Sequence, residues 1–321
     1  MKSMMNVLVV GLAIGAITWL GSFVIDALRP VPSEPESLTW LPDDFEVKTA
    51  RIDGLKVRYI QGGSGPNLVL LHTLRTQLDI YQDMLPALAE TFTVTAMDYP
   101  GHGWSDIPDV TYEPDIFYTW VETFLEVTGI ENATLAGTSI GGTIPLVLAG
   151  RGNPRIAKAI AINPYDYKIT YASGLKGSSF WAKVVHTAVE IPFLGEMFMR
   201  LRMQWMERMI LEGGVADNKA WTDPLFAEVS SVGNRPGQMR GFISLLRESQ
   251  KWQTARTAYA DIKVPVLLIY GDEDWAPPAD RRETETRIPD VKVEVIDNAG
   301  HFLSLDKPGE LVESIKAFAL P

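Results

Sequence analysis

The sequence predicts an α/β fold in which a mostly parallel, eight-stranded sheet carries helices on both faces, together with a helical cap insertion and an N-terminal transmembrane helix. Three observations predict it. Apolar, β-branched runs alternate with helical patterns in the later part of the chain, as a parallel sheet requires. A glycine-rich turn around Ser139 joins one strand pattern to one helix pattern. About 280 residues follow the N-terminal apolar run, a length that suits one domain with an insertion.

The first element is a membrane-helix pattern. The nineteen residues 7–25 carry no charge, and at about 1.5 Å per residue they nearly span a hydrocarbon core of about 30 Å. A cleaved secretory signal is the alternative, but such signals have a shorter apolar region and end in small residues, whereas Trp19 and Leu20 lie late in this run. We expect residues 1–29 to be a retained single-pass anchor, with the catalytic part on the non-cytoplasmic side.

The globular part follows a stiff, proline-rich polar spacer over residues 30–43. We assign residues 44–166 and 237–321 to the two parts of the core, and residues 167–236, where the alternation of strands and helices fails, to the helical cap. A C-terminal helix is predicted over Pro308–Ala319. The eight predicted strands cover residues 45–52, 55–61, 67–72, 92–98, 133–137, 156–163, 264–270 and 291–296.

Ser139 is the candidate nucleophile. It lies at the centre of a Gly-Thr-Ser-Ile-Gly-Gly sequence, residues 137–142, between an apolar strand pattern and an apolar helix pattern. Small neighbours let the backbone fold back sharply, which lifts the hydroxyl clear of the sheet and directs a helix N-terminus at the reacting carbon. The same string also occurs in glycine-rich turns where the serine only caps a helix, so the hypothesis needs a base and an acid.

Four histidines are available as the base: His72, His102, His186 and His301. His72 and His102 lie far upstream of the serine in segments that suggest loop scaffolding, and His186 lies in an aromatic and aliphatic segment. His301 follows a strand pattern and three small residues and precedes the C-terminal helix. We therefore expect His301 to be the base, on an exposed loop at the end of a strand.

A neutral imidazole acts as a base when a carboxylate fixes its tautomer and stabilises the imidazolium that forms. Asp274 is our choice for that acid, because it stands three residues after the glycine that ends a strongly apolar strand and two before Ala276, where the chain must turn. Its neighbours Asp272 and Glu273 are interpreted as solvated loop charges. Asp166, which follows the strand 156–163, is the second candidate for the acid.

The order Ser139, Asp274, His301 is the chain order of the α/β-hydrolase superfamily, and the chain resembles that superfamily from about residue 45 to its C-terminus. Residues 97–106 resemble the turn after an early strand, residues 70–72 the loop that donates one oxyanion amide, and residues 298–302 the histidine loop. The resemblance implies a serine hydrolase that cleaves carboxylic esters without a metal or an organic cofactor, similar to membrane-anchored esterases and monoacylglycerol lipases.

Other chemistries stay open on the same scaffold. Carbon–carbon bonds next to a ketone, amides and thioesters are cleaved by the same constellation, because substrate choice depends on the cap. Halide and epoxide chemistry is disfavoured, since the relatives that perform it carry a carboxylate where Ser139 stands.

The oxyanion loop departs from the superfamily pattern. By position, the backbone amides of Leu74 and Ile140 would hold the oxyanion, but Thr73 occupies a position where the superfamily usually has glycine. Losing one such donor costs about a hundred- to a thousand-fold in rate. Thr73 therefore motivates an alternative from another class, a catalytically weak, membrane-tethered binding protein. Arg75 could supply a cation near the oxyanion, although a solvated surface arginine is the favoured interpretation.

The composition limits the partners. Five of the eleven methionines fall within residues 191–211 of the predicted cap. Flexible thioethers there would suit a pocket for acyl chains. The alternative, which we weigh equally, is that these residues pack the cap against the core. The expected partners are a small-molecule ester, lipid-like or not, and the membrane. A net charge of −11 without a basic stripe argues against nucleic acid. The absence of cysteine excludes disulfides and thiolate metal sites.

Overall fold

The computed structural model describes residues 2–167, 187–189 and 191–320. Eight strands form one sheet, and each lies within two residues of its predicted ends, which is the usual uncertainty of strand boundaries. The fold predicted from the sequence is confirmed. The strands are β1 (Phe45–Ile52), β2 (Leu55–Gly62), β3 (Asn67–Leu71), β4 (Thr93–Met97), β5 (Ala133–Thr138), β6 (Ile156–Ile162), β7 (Val266–Gly271) and β8 (Lys292–Ile296).

The sheet has the order β1-β2-β4-β3-β5-β6-β7-β8. Only the β1/β2 and β2/β4 pairs are antiparallel, and the remaining five pairs are parallel. Strand β5 lies near the centre of the sheet and is buried along its whole length, whereas most of the edge strand β8 is exposed. Continuous apolar runs are typical of parallel strands that are covered on both faces, which explains why the central strands could be predicted so closely.

Helices cover both faces of the sheet, where helix Pro114–Thr128 packs against Ile140–Gly150 and helix Leu85–Ala89 packs against Pro308–Ala319. Short 3₁₀ helices cover Leu78–Tyr81 and Asn218–Ala220, and a longer one covers Ser249–Asp261. The α-helices are α1 (Lys2–Ala27), α2 (Leu85–Ala89), α3 (Pro114–Thr128), α4 (Ile140–Gly150), α5 (Leu194–Arg200), α6 (Gln204–Glu212), α7 (Asp223–Val232), α8 (Gln238–Arg247), α9 (Pro278–Arg287), α10 (Leu303–Asp306) and α11 (Pro308–Ala319).

Helix α1 is long and apolar enough to cross a membrane over residues Val9–Ala27. Its large apolar side chains are exposed to the surroundings of the protein, for example Ile17 at 70% and Leu20 at 60%. Its C-terminal end is docked, because the Nε of Arg200 on α5 donates to the Ser22 hydroxyl at 2.9 Å. An apolar helix that leaves its side chains uncovered is what a membrane anchor requires.

Helices α5, α6 and α7 are inserted between β6 and β7, and we refer to them as the inserted helices. They fall in the region for which the sequence predicts a helical cap, although residues 168–186 and 190 of that region, including His186, lie outside the described residues. The segment after α6 touches the histidine loop, where Phe302 donates its backbone N–H to Gly214 at 3.0 Å. Glu228 of α7 accepts from the indole of Trp104 at 2.9 Å. The domain boundaries themselves stay a prediction.

His72 and His102 are buried next to each other in the core loops, with ring centroids 5.3 Å apart. The Nε2 of His72 accepts the backbone N–H of Tyr99 at 3.3 Å, so its Nδ1 carries the proton and donates to the Thr73 carbonyl at 2.7 Å. Burial lowers the pKa of His72 to about 4 and that of His102 to about 3. Both rings are therefore neutral at pH 7 and serve as scaffolding.

This burial predicts a loss of stability in acid. The unfolded chain takes up a proton on each histidine below pH 6.5, whereas the folded chain does not until about pH 4 at His72, so the free energy of unfolding falls as the pH drops through this window. Each histidine contributes a slope of about 1.4 kcal/mol per pH unit. Urea unfolding of the full chain in neutral detergent, at pH 7.5 and pH 5, should show a shallower pH dependence in His102→Gln than in the wild type. Equal slopes would contradict the neutral state of His102.

Candidate active site

Ser139 occupies a strained turn between β5 and α4. Its backbone has φ of 60° and ψ of −121°, a left-handed conformation that a non-glycine residue adopts only when its surroundings impose it. A side chain on Gly141 would collide with the Leu71 carbonyl of β3, and one on Gly137 would collide with the Gly141 carbonyl. The sequence needs its glycines here because three backbone segments meet, as in the turn that presents a nucleophilic serine.

His301 and Asp274 form a buried pair at the ends of two neighbouring strands. The His301 Nδ1 lies 2.6 Å from Asp274 Oδ1, and the two side chains are at most 1% exposed. The Nε2 of His301 is buried and hydrogen-bonds to no group within the described ranges. The expectation that His301 lies on an exposed loop is wrong, because the segment after α6 covers that loop. The arrangement leaves one imidazole nitrogen fixed by a carboxylate and the other available to accept a proton.

Asn163 and its neighbour Ile162, at the end of β6, contact the three loops that carry Ser139, Asp274 and His301. Its side-chain amide donates to the carbonyls of Gly300 and His301 at 3.0 and 3.1 Å, and its Oδ1 accepts from Gly271 at the end of β7 at 3.0 Å. The residue before it, Ile162, accepts the backbone N–H of Ser139 at 2.9 Å. The Asn163 side chain therefore joins the acid loop to the histidine loop, and the backbone carbonyl of the residue before it holds the serine turn.

Two further side chains hold the pair in position. The indole of Trp275 stacks on the His301 ring with a centroid distance of 4.0 Å and an angle of 13°. Arg281 of α9 donates to the carbonyls of Gly271, Asp274 and Ala276 at 3.0–3.1 Å. The acid loop is thus fixed by a guanidinium from one side, and the base is fixed by an aromatic ring.

The other acids near this edge of the sheet are engaged elsewhere or exposed. Asp166, the second candidate, is buried and accepts from Arg256 at 3.3 Å, from the Tyr259 hydroxyl at 2.9 Å and from Thr284 at 2.9 Å. Burial raises the pKa of Asp166, although these partners oppose the shift. Asp272 and Glu273 are exposed, as expected of loop charges. Of these acids, Asp274 is the one that contacts His301.

The two predicted oxyanion donors have backbone amides without an acceptor among the described residues. Neither Leu74 nor Ile140 donates its N–H to an acceptor in the part of the chain that the structure describes. Ile140 is the first residue of α4, where an amide has no acceptor within the helix and the helix dipole favours negative charge. The left-handed conformation of this loop falls on Arg75, with φ of 61°, and Thr73 has no positive φ. The β-branched Thr73 is therefore accommodated without the conformation that only glycine adopts easily.

Arg75 is paired, and its interpretation as a solvated surface arginine is wrong. Its guanidinium forms an ion pair with Glu207 of α6, and the two side chains are only 10% and 12% exposed. Glu207 also accepts from the Ser230 hydroxyl of α7 at 2.8 Å. Arg75 follows Leu74 directly, so this ion pair connects the predicted oxyanion loop with two inserted helices.

Sequence reasoning missed the residues that hold the site together, namely Asn163, Trp275, Arg281 and Glu207. Asn163 has φ of 45°, and asparagine at the end of a predicted strand is a weak signal of such a backbone. Trp275 directly follows Asp274 in the sequence, and this adjacency is the signal that could have identified it. Arg281 and Glu207 carry no local signal in the sequence. Arg281 contacts Asp274, which lies 7 residues before it and outside its helix. Glu207 contacts Arg75, which lies 132 residues before it.

Comparisons with known proteins identify the family of the chain. The sequence model of the α/β hydrolase fold family matches residues 66–308. Carboxylesterase YbfK of Bacillus subtilis is 24% identical over 92% of this chain and 95% of its own. Haloalkane dehalogenase 2 of Mycobacterium bovis is 25% identical over 81% of this chain and 90% of its own.

A crystal structure of a membrane phospholipase A, described as a bacterial virulence factor, covers 99% of this chain and 98% of its own, with a TM-score of 0.69 and 22% identity. At this identity the likeness shows the fold alone. The family match covers most of the sequence and includes Ser139, Asp274 and His301. The chain therefore belongs to the α/β hydrolase fold family.

Proposed function

We propose that the protein is a membrane-anchored serine hydrolase that cleaves carboxylic esters, with lipid-like esters as its main substrates. The observation that carries the proposal is the buried pair of His301 and Asp274, 2.6 Å apart. The Asn163 side chain ties their loops to the end of β6, where the Ile162 carbonyl also holds the strained turn at Ser139. A serine hydroxyl on such a turn, a fixed imidazole and a carboxylate are the three parts of a catalytic triad.

In the proposed reaction the Ser139 hydroxyl attacks the ester carbonyl and forms a tetrahedral intermediate. The Nε2 of His301 takes the serine proton and then gives it to the leaving alcohol, while Asp274 holds the imidazole and stabilises its charged form. Loss of the alcohol leaves an acyl group on Ser139. Water, deprotonated by His301, then attacks that acyl-enzyme and releases the carboxylic acid.

The amides of Leu74 and Ile140 are proposed to hold the negative oxygen of the tetrahedral intermediate. Neither amide donates to an acceptor within the described ranges, which supports this role, because a donor with no other acceptor is available to the oxyanion. The ion pair of Arg75 with Glu207 would fix the loop that carries the Leu74 amide.

A lipid-like substrate is supported by an apolar cavity of about 430 Å³ beside the inserted helices. Arg75, which follows Leu74, and Thr18 of the anchor helix both lie on its wall, whereas Ser139 and His301 are not among its described lining residues. The cavity therefore lies between the predicted oxyanion loop and the membrane segment. Most other lining residues are flexible or aromatic, and they include Met197, Phe198, Met203, Trp205 and Met206. Thioethers adapt to acyl chains of varying shape. The solved structure described as a membrane phospholipase A is consistent with a lipid substrate.

We expect kcat/KM to rise with acyl length across p-nitrophenyl acetate, butyrate, octanoate and laurate. Each methylene that enters the cavity should contribute about 0.8 kcal/mol, or about fourfold. Met206→Trp, which fills the cavity, should lower kcat/KM for the laurate by at least about tenfold and leave the acetate within about twofold.

The matched control is Val127→Trp, which adds the same ring at an exposed position on α3. It should leave both esters unchanged. A flat chain-length profile, or an equal loss on acetate and laurate in Met206→Trp, would show that this cavity does not hold the acyl chain.

A further inference from the structure

A second cavity, of about 690 Å³, lies where the anchor helix ends against α5 and α8. Six arginines line it, together with three acids, Asp26, Glu196 and Glu248. The chain as a whole carries a net charge of −11. The cavity has the opposite balance, because its lining contains more guanidinium groups than carboxylates. The arginines are Arg29, Arg200, Arg202, Arg235, Arg240 and Arg247.

We propose that this cavity binds the phosphate headgroup of an anionic membrane lipid, separately from the proposed hydrolytic site. The inference rests on the proposed membrane anchoring, because the lipid must reach the cavity from the bilayer. The chemistry that it requires is a phosphodiester, which arginine recognises through two parallel N–H donors.

The cationic charge of the cavity is only partly neutralised by protein carboxylates. Arg29 and Arg202 share the single carboxylate of Asp26, at 3.6 and 3.1 Å. Arg247 pairs with Glu196 at 2.8 Å, whereas the third lining acid, Glu248, pairs with Lys251 at 2.7 Å.

Arg240 finds its partner, Asp109, outside the lining residues. Arg200 and Arg235 form no ion pair with any carboxylate of the described residues. Burial, together with the neighbouring cations Arg29 and Arg75, lowers the pKa of Arg202, so a bound anion would relieve this crowding of like charges.

Arg200 has the donors that a phosphate would need. Its Nε donates to the Ser22 hydroxyl at 2.9 Å, and its guanidinium lies 3.9 Å from the ring centroid of Phe23. Its two terminal nitrogens donate to no acceptor among residues 2–167, 187–189 and 191–320. The contacts with Ser22 and Phe23 therefore orient the side chain and leave its outer edge free in the cavity.

The position of the cavity matches the depth of lipid headgroups. Phe23, Asp26 and Ala27 on its wall belong to the last turns of the candidate span Val9–Ala27. The end of an apolar span lies at the boundary between the hydrocarbon core and the headgroups. Basic pockets beside membrane helices bind anionic headgroups. At this depth lipid phosphates lie close to the guanidinium groups, so a lipid phosphate is a more accessible ligand for them than a phosphate ion in solution.

The test uses the full chain with Ser139→Ala, so that binding is read without hydrolysis, in neutral detergent micelles. Isothermal titration calorimetry compares dihexanoyl phosphatidylglycerol, dihexanoyl phosphatidylcholine and inorganic phosphate. We expect phosphatidylglycerol to bind at least about tenfold more tightly than either of the others. Equal affinity for the two lipids would overturn the proposal, and inorganic phosphate that binds as tightly as phosphatidylglycerol would overturn the assignment to a lipid.

Variants locate the binding. Arg200→Gln should weaken phosphatidylglycerol binding by at least about tenfold without changing phosphatidylcholine binding, whereas Arg200→Lys should retain most of it. Arg282→Gln removes an exposed arginine of α9 that does not line the cavity and should have no effect. If Arg200→Gln does not fold, Arg240→Gln replaces it, because Arg240 lies half-exposed at the cavity.

Unchanged phosphatidylglycerol binding in Arg200→Gln, or in Arg240→Gln where it replaces that variant, would overturn the site. Because the protein under test cannot hydrolyse esters through Ser139, a negative result here leaves the proposed hydrolase activity untouched. A chain that failed to hydrolyse any ester would, in turn, still be able to show this binding.

Discussion

Ester hydrolysis should fall by about four to six orders of magnitude in Ser139→Ala. The proposed reaction passes through an acyl group on the Ser139 oxygen, and alanine has no side-chain oxygen to carry it. What remains would come from the oxyanion amides and substrate binding alone, as is typical when one member of a triad is removed. The measurement is kcat/KM on p-nitrophenyl octanoate, compared with the uncatalysed rate in the same buffer.

The matched control for this variant is Ser304→Ala. Ser304 is as buried as the site residues, at 1% exposed, and lies in α10 just after the histidine loop. Its hydroxyl has no hydrogen-bond partner within the described residues, so its removal should leave kcat/KM within about twofold. If Ser139→Ala kept more than about a tenth of the wild-type rate, another group would be the nucleophile.

The second large effect concerns the acid. Asp274→Asn should lower kcat/KM by about 10⁴-fold, because an amide facing the His301 Nδ1 can favour the wrong tautomer and cannot stabilise the imidazolium. The geometry around it should be preserved, since the other oxygen of Asp274 accepts the backbone N–H of Ala276 at 3.0 Å and Arg281 holds the loop carbonyls. Hydrolysis rates between pH 6 and 9 check the expectation.

Asp166→Asn is the matched comparison at the second candidate position. Asp166 is paired with Arg256 and accepts from Tyr259 and Thr284, so its loss should act on stability. Removing one partner of a buried ion pair costs about 3–5 kcal/mol, and we expect a lower urea midpoint with kcat/KM of the folded protein within about tenfold. A larger rate loss in Asp166→Asn than in Asp274→Asn would reverse the assignment of the acid.

The sequence allowed the sheet to be predicted closely for a physical reason. In a parallel sheet covered on both faces, most residues of a central strand are apolar, and the strands stand out as short runs such as Val266–Gly271. The edge strand Lys292–Ile296 was also found, although four of its five residues are exposed, because β-branched residues alternate with charges there. Turn glycines and prolines set the ends of these runs.

Only those residues of the candidate site that have a recognisable local sequence pattern could be predicted. Ser139 carries a strong local signal because its neighbours must be small, and Asp274 and His301 follow strands in the expected order. The burial of His301 and the ion pair of Arg75 with Glu207 could not be predicted, since both depend on how the inserted helices pack onto the core. Asn163 shows the same limit, because its side chain joins two loops that are distant from it in the sequence.

The central claim is that His301 and Asp274 activate the hydroxyl of Ser139. A fluorophosphonate probe tests it most directly, because the probe reacts covalently with an activated serine and requires no knowledge of the natural substrate. We predict one label per folded chain in the wild type, none in Ser139→Ala, and much slower labelling in His301→Ala. Folded wild-type protein that takes up no probe, or labelling that persists in Ser139→Ala, would contradict the account.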